Sequence, residues 1–222
     1  MAPSRMNSVY FITAIVCRVV FRIYFRWRVH NRERVPRTGP AILASNHASF
    51  VDPPMIGSPL PRMINYLARE TLFRNPIAIW YMRALNGVPV DRDGGSAKGL
   101  RIILQRLQEG EAIVLFPEGT RTHDGSLQRA RSGIGLTVLK SDAPVIPLRI
   151  FGTFEAYGRH LKFPRPLPVV LKFGHPIDFS AERAEARVCS KPRLKQLYQE
   201  VADKIMEAIK HLEPWEDVEH FG

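Results

Sequence analysis

Short apolar runs alternate with longer segments of helical periodicity along most of the chain. The apolar runs predict strands at residues 41–44, 63–68, 88–90, 112–116, 145–151 and 169–173. The periodic segments predict helices at residues 7–27, 53–57, 76–85, 96–108, 133–139 and 192–212. Ser96 is a candidate cap for the fourth helix. The alternation predicts an α/β fold with a mixed, largely parallel sheet covered by helices.

Residues 30–39 and 152–168 interrupt this alternation. The first segment is interpreted as a linker. The second, which is rich in Pro, Gly and basic residues, is interpreted as a surface excursion that either borders the substrate entrance or is a plain loop. Its basic residues could add to a membrane-facing or carrier-facing patch, although a solvated loop is favoured. We therefore expect residues 1–35 to form an N-terminal membrane-associating helix with its linker, and residues 36–222 to form the main domain.

The predicted first helix is apolar, yet Arg18, Arg22 and Arg26 recur at every fourth position and form one stripe. Between Arg5 and Arg18 the uncharged stretch is shorter than the roughly twenty residues that a transmembrane helix needs. The pattern favours an amphipathic helix at a membrane surface, with guanidinium groups on anionic headgroups. The alternative is a helix packed on its own domain or on another subunit, with a solvated arginine edge.

Charge supports an anionic partner, because the 222 residues carry a formal net charge of +11 and a pI of about 10.1. Nucleic acid, a membrane surface and phosphorylated substrates all fit such a balance. The basic residues accompany an apolar helix rather than a recognised nucleic-acid module, so we expect no nucleic-acid partner. Cys17 and Cys189 form no CxxC motif or disulfide framework, which indicates a reducing compartment.

A histidine and a carboxylate stand five positions apart in the segment Asn46-His47-Ala48-Ser49-Phe50-Val51-Asp52-Pro53. On one helix, five steps of about 100° would leave the two side chains about 140° apart, so a turn must bring them together. The sequence predicts strand, turn and helix here, with Asp52 as the N-cap and Pro53 at the first helical position. A histidine held by a carboxylate can act as a general base, although the two residues alone could equally be a cap and a loop residue.

A second motif, Phe116-Pro117-Glu118-Gly119-Thr120-Arg121, makes the first one specific. Together they resemble the glycerolipid acyltransferases, most closely the 1-acyl-sn-glycerol-3-phosphate (lysophosphatidic acid) acyltransferase family. Residues 86–92 and 145–148 resemble two further blocks of that family, in the expected order. Asn86 stands where the family usually has glycine. Asparagine also tolerates positive φ, so we expect the turn to be kept.

The resemblance implies direct acyl transfer from a thioester to an alcohol, with His47 as the base and Asp52 as its partner. It assigns Arg92, Glu118 and Arg121 to the acceptor site, where Gly119 would let the backbone come close and Thr120 would add a hydroxyl. Arginine suits a phosphate monoester, whereas Glu118 suits a glycerol hydroxyl or the orientation of an arginine. Acylation of Ser49 is the less favoured route. Backbone N–H groups are the expected oxyanion donors.

The function that follows is transfer of an acyl group to the sn-2 hydroxyl of lysophosphatidic acid, giving phosphatidic acid. Acyl-CoA or acyl carrier protein would be the donor substrate, and no cofactor is expected. The partners would be the lysophospholipid and anionic lipids of a membrane, at its cytoplasmic face. Glycerol-3-phosphate or another lysophospholipid is the alternative acceptor, and a non-catalytic lipid-binding protein is the alternative class. His123 and Asp124 predict a turn in a glycine-containing loop rather than a metal site.

Overall fold

The computed structural model describes residues 6–90, 97–215 and 217 and contains one seven-stranded sheet. Its strands are β1 Arg28–His30, β2 Ala41–Ser45, β3 Ile64–Arg69, β4 Gly87–Val90, β5 Ala112–Leu115, β6 Val145–Phe151 and β7 Val170–Phe173. Their order across the sheet is β1-β7-β6-β2-β5-β3-β4. Strands β6 and β7 pair antiparallel, and the other described neighbours pair parallel. The prediction of a mixed, largely parallel sheet is confirmed.

Helices connect and cover the strands. They are α1 Ser8–Tyr24, α2 Asp52–Gly57, α3 Pro76–Ala84, α4 Ala97–Gln108, α5 Ser132–Leu139, α6 Thr153–Tyr157, α7 Ser180–Val188 and α8 Lys191–Lys210. Short 3-10 turns occupy Arg32–Arg34 and Glu70–Leu72. From β2 to β6 each strand is followed by a helix before the next strand begins, as parallel neighbours require.

The sheet is buried on both faces, which explains its continuous apolar runs. In β2, Ala41 and Leu43 face a core that includes Met55 of α2. Ile42 and Ala44 face the opposite core, which includes Ile205 of α8. Because side chains alternate along a strand, this single strand supplies both cores and every residue of it is buried.

Helix α1 packs its inner face on α2 and α3. Asn7 caps α1 by accepting a bond of 2.8 Å from the Tyr10 amide, and its own amide donates to the Ala84 carbonyl at 2.8 Å. Arg18 does not point outward, because its guanidinium donates to the carbonyl oxygens of Ser58 and Leu60. The arginines of the predicted stripe therefore differ in their environment, because Arg18 contacts the domain and Arg22 is exposed. In the described part of the chain, no helix has the combination of length and apolarity needed to cross a membrane.

The predicted strands and helices are all present, with shifts of a few residues at their ends. Helix α1 stops at Tyr24 rather than at residue 27, because Arg26 adopts a φ of +45° and breaks the helix. Asn86 has a φ of +58°, so the turn expected of the family's glycine is kept. Ser96, the candidate cap of α4, lies outside the described residues.

One strand and two α-helices of the described chain were not predicted. Strand β1 lies between the predicted first helix and the predicted linker, which it overlaps only at His30, and it pairs with β7. Helix α6 shows that the interpretation of residues 152–168 as a plain loop is wrong at its start, where Gly152 with a φ of +82° turns the chain. Helix α7 buries none of its residues, so its sequence lacks a strong apolar face. The division after residue 35 stays a prediction.

Candidate active site

His47 and Asp52 lie in hydrogen-bonding contact at the carboxyl end of β2. Strand β2 ends at Ser45 and α2 begins at Asp52, and the turn between them brings His47 Nδ1 to 2.8 Å from Asp52 Oδ2. The Asp52 side chain is fully buried, while 17% of the His47 side chain is exposed. The geometry therefore holds the imidazole through one nitrogen and leaves an open side for a substrate.

The Asp52 carboxylate does not cap α2, so the predicted N-cap is wrong. The N-cap position is Val51, which makes no side-chain capping bond, and Asp52 is the first residue of the helix. Asp52 Oδ2 instead accepts hydrogen bonds of 2.7 Å from the amides of both Ala48 and Ser49. The carboxylate thus turns back onto the loop before it, and one oxygen holds three donors in place.

The imidazole of His47 is fixed on a second side by Phe116. The two rings stack with centroids 3.8 Å apart and planes 15° from parallel. The His47 carbonyl accepts a bond of 2.8 Å from the Thr122 amide. Because Nδ1 is engaged by Asp52, Nε2 is the nitrogen that can take a proton from a bound alcohol.

Glu118 ties the loop after β5 to this turn. Its Oε1 accepts from the His47 amide at 3.0 Å, and its Oε2 accepts from the Gln128 amide at 3.3 Å. Burial to 3% exposure raises the pKa of Glu118 to about 7, although the two amides favour the charged form. The carboxylate therefore contacts backbone amides, and its place in the acceptor site stays a prediction.

The later residues of the second motif follow Glu118 in the same loop. Gly119 has a φ of +71°, and a Cβ there would lie 2.9 Å from the side chain of Arg131, which covers the turn. Thr120 is partly exposed next to it. Arg121 places its guanidinium carbon 3.4 Å from the ring centroid of Phe50. Arg92, the remaining acceptor-site candidate, lies outside the described residues.

Two residues of the first motif have structural partners that sequence reasoning did not find. Asn46 bridges to β6, since its side chain accepts from the Ile150 amide at 2.8 Å and donates to the Ile150 carbonyl at 3.0 Å. The buried Ser49 hydroxyl donates to the Tyr157 carbonyl at 2.6 Å. Because this hydrogen bond holds the hydroxyl, we interpret Ser49 as a residue that stabilises the turn. The apolar sequence of β6 carries no sign of the Asn46 bridge.

The His123-Asp124 pair forms a turn. Asp124 accepts bonds of 3.0 Å from the Thr122 hydroxyl and from the Ser126 amide, while the His123 ring faces Arg159. Across the residues that the structure describes, no three His, Cys, Asp or Glu side chains are grouped for a metal ion. Chemically, the site offers a held base, a buried carboxyl and an arginine at the ends of neighbouring parallel strands β2 and β5.

Known proteins resemble this chain in sequence. The family model described as Acyltransferase matches residues 26–151. A 1-acyl-sn-glycerol-3-phosphate acyltransferase of Bacillus subtilis is 27% identical over 92% of this chain and 98% of its own length. A chloroplastic 1-acyl-sn-glycerol-3-phosphate acyltransferase of Arabidopsis thaliana is 27% identical over 68% of this chain, which spans only 43% of that relative.

A solved structure shows the same fold. The crystal structure of the 1-acyl-sn-glycerophosphate acyltransferase of Thermotoga maritima aligns with a TM-score of 0.70 at 27% identity. The alignment covers 91% of this chain and 80% of that one. The family expected from the two motifs is confirmed. Because the family model spans more than half of the residues, the chain belongs to the Acyltransferase family.

Proposed function

We propose that the chain transfers an acyl group from acyl-CoA or acyl carrier protein to the sn-2 hydroxyl of 1-acyl-sn-glycerol-3-phosphate, giving phosphatidic acid. The observation that carries the proposal is the 2.8 Å contact between His47 Nδ1 and the buried Asp52 carboxylate. The names of the Bacillus and Thermotoga relatives support the choice of acceptor.

In this mechanism His47 is the base and no enzyme nucleophile is needed. Nε2 accepts the proton of the acceptor hydroxyl as its oxygen attacks the thioester carbonyl, and Asp52 stabilises the imidazolium that forms. The tetrahedral intermediate collapses as the C–S bond breaks, and the proton passes from Nε2 to the departing thiolate. The net change is one C–O bond formed and one C–S bond broken.

The acceptor phosphate is assigned to arginines. Arg121 lies against Phe50, which belongs to the turn that carries His47, so a phosphate on its guanidinium would be close to the base. Arg92 keeps its assignment from the family resemblance. Gly119 and Thr120 precede Arg121 in the loop after β5, where a side chain at Gly119 would meet Arg131. We assign Glu118 a positioning role, since both of its oxygens accept from amides.

A membrane surface is the proposed location, because one side of α1 is apolar and exposed. Ile23 is 76% exposed, and in α3 Ile77 is 78% exposed. The other exposed apolar side chains of α1 and α3 are Phe11, Ile12, Ile15, Val16, Val19, Val20, Tyr24, Trp80 and Tyr81. Tyr81 contacts Thr13 through their hydroxyls at 3.4 Å, so the two helices present one surface. Apolar area of this extent is typical of lipid contact.

Charge at this surface favours anionic lipid. Arg22 and Arg26 are exposed at the border of the apolar side of α1. Each such arginine near a negatively charged leaflet contributes about 1 kcal/mol to binding. The cytoplasmic face is proposed because thioester donors and the free cysteines Cys17 and Cys189 suit a reducing compartment.

A panel of donors and acceptors with purified protein tests the proposal. We expect the highest kcat/KM with 1-acyl-sn-glycerol-3-phosphate, and acylation at its sn-2 position by product analysis. Preference for glycerol-3-phosphate or for another lysophospholipid would contradict the acceptor. Absence of transfer from every donor would contradict the reaction and favour a lipid-binding protein.

The His47→Ala variant tests the mechanism within that panel. Loss of a general base is expected to slow the chemical step by about 10² to 10⁴, or roughly 3 to 5 kcal/mol. His175→Ala is the matched control, since His175 is an exposed histidine away from the motifs. Near-normal turnover by a folded His47→Ala protein would contradict the role of His47 as the general base.

A further inference from the structure

Two segments outside the first motif are fixed against the turn from Asn46 to Asp52, the catalytic turn. Residues 121–123 are held by the 2.8 Å bond from the Thr122 amide to the His47 carbonyl. The segment after α6 is held by an antiparallel bridge between Ser49 and Gly158. The ring of Tyr157 also lies 6.1 Å from that of Phe50, centroid to centroid. Both segments are therefore anchored within a few residues of the base.

Arg159 and His123 meet where these two segments converge. Arg159 Nη1 lies 2.9 Å from His123 Nδ1 and 2.6 Å from Nε2, so the guanidinium is held against the imidazole ring. Since the guanidinium can only donate, the imidazole accepts at an unprotonated nitrogen. His123 is exposed and Arg159 is partly exposed.

Among the residues that the structure describes, none forms an ion pair with Arg159. Asp124, the chain neighbour of His123, accepts hydrogen bonds from the Thr122 and Ser126 hydroxyls through Oδ1. Arg121, two residues before His123, lies over Phe50 of the catalytic turn. Two guanidinium groups are thus carried by segments anchored to this turn, and their shared preference is for an anion.

We propose that Arg159, supported by His123, is a second anion site that receives a phosphate group of a substrate. A partly exposed guanidinium keeps its charge at all relevant pH and can bind phosphate oxygens through two parallel bonds. The phosphate belongs either to the acyl donor, through coenzyme A or a phosphopantetheine arm, or to the acceptor. The inference rests on the proposed function, which supplies phosphate-bearing substrates on both sides of the reaction.

Steady-state kinetics of Arg159→Gln test the site, with the KM for acyl-CoA and the KM for 1-acyl-sn-glycerol-3-phosphate measured separately. Loss of a charge-assisted contact is expected to raise one of the two KM values by about ten- to a hundredfold, with a smaller change in kcat. Arg165→Gln is the matched control, because Arg165 is an exposed arginine of the same segment. The KM that rises identifies the source of the phosphate. If neither KM rises more than in the control, the proposal is overturned.

Substrates without phosphate sharpen the result. With a short thioester donor that lacks phosphate, or with monoacylglycerol as acceptor, Arg159→Gln should match the wild type for the affected substrate. An equal penalty on the phosphate-free substrate would overturn the proposal. His123→Ala should raise the same KM by a smaller factor, because Arg159 loses its support, and a rise in the other KM would contradict that support.

Binding measurements separate this site from the proposed reaction. Calorimetry with coenzyme A and with glycerol-3-phosphate reports the affinity of each variant without turnover. Weaker binding of one probe to Arg159→Gln than to Arg165→Gln would support the site even in a protein that fails to acylate lysophosphatidic acid. If the two variants bound each probe equally well, the proposed anion site would be contradicted and the proposed acyl transfer would not be affected.

Discussion

The turn from Asn46 to Asp52 and the outer side of helix α1 place polar and apolar side chains in opposite ways. In the turn, the polar side chains of Asn46, Ser49 and Asp52 are buried. On α1, large apolar side chains such as Val16 and Ile23 face outward. Burying polar groups and exposing large apolar side chains both cost free energy. Each region therefore needs a partner that compensates this cost.

The kind of compensation differs between the two regions. In the turn, individual atoms are matched, as in the three donors that converge on Asp52 Oδ2. On α1, the proposed compensation is contact with lipid, which removes apolar surface from water. Many side chains each contribute a small part of that surface. Single substitutions should therefore have large effects in the turn and small, cumulative effects on α1.

The largest effect is expected from Asp52→Asn. Asparagine keeps one oxygen that can accept in the place of Oδ2, but it loses the negative charge that holds the three donors and stabilises the imidazolium. Comparable replacements in a Ser-His-Asp triad cost about 10⁴ in turnover, and we expect a kcat lower by about 10³ to 10⁴. The measurement is kcat at saturating substrates, with folding checked by thermal unfolding.

Asp203→Asn is the control for that variant. Asp203 is an exposed carboxylate of α8, where it accepts a bond from Gln199. Its replacement should leave kcat unchanged. If Asp52→Asn stays folded and retains kcat within a few-fold of the wild type, the matching of individual atoms in the turn does not matter for catalysis.

Much of the fold could be predicted because the sheet is buried on both faces. Strands such as β5, with every residue buried, must be apolar throughout, and that pattern is visible in the sequence. Strand β1 escaped prediction because it is partly exposed and depends on pairing with β7, far along the chain. Helices α6 and α7 escaped because one is a short turn and the other buries no residue.

The contact of His47 with Asp52 could be predicted from the sequence, but the longer-range hydrogen bonds around it could not. His47 and Asp52 are five positions apart, so their pairing needs only a local turn. Glu118 meets the His47 amide across 71 positions, and Asn46 meets Ile150 across 104. Backbone amides have the same chemistry in every residue, so the sequence cannot name such partners. Likewise, periodicity predicted α1 without showing that Arg18 faces the domain interior.

The next largest effect concerns Glu118 and depends on pH. Its pKa is raised to about 7, so the folded protein binds a proton that the unfolded chain releases near its usual value. The free energy of unfolding therefore falls as pH rises from about 4.5 to about 7. A pKa difference of this size corresponds to roughly 3 kcal/mol. Glu118→Gln does not titrate and should lack this decrease.

Urea unfolding at the two ends of that pH window measures the effect. The wild type should lose more stability between them than Glu118→Gln does, by up to the stated amount. Glu155→Gln, an exposed glutamate of α6, should keep the wild-type dependence. Identical pH dependence in the wild type and in Glu118→Gln would show that the buried carboxyl titrates normally.

The outer side of α1 should respond to paired substitutions. Changing Val16 and Ile23 to serine removes two exposed apolar side chains. With burial of each worth at most about 1.5 to 3 kcal/mol, affinity for lipid vesicles should fall by roughly tenfold or more. The free energy of unfolding should change by less than about 0.5 kcal/mol per site. Vesicle sedimentation and urea unfolding report the two quantities separately.

Val188→Ser is the matched control for α1. Val188 is 86% exposed at the end of α7, which packs with α8 on the opposite layer. Its loss should leave vesicle affinity unchanged. An equal loss of affinity in the control would mean that exposed apolar residues anywhere on the chain bind lipid. In that case the α1 surface would not be distinct from the rest of the protein.

The smallest effect separates two arginines of one sequence stripe. Arg22 is exposed, so Arg22→Gln should weaken binding to anionic vesicles by about fivefold, which corresponds to about 1 kcal/mol per charge near the surface. Binding to neutral vesicles should not change. Arg18→Gln should instead lower the free energy of unfolding, because the Ser58 and Leu60 carbonyls lose their donor. If both variants reduced anionic binding equally with unchanged stability, the inward placement of Arg18 would not hold in solution.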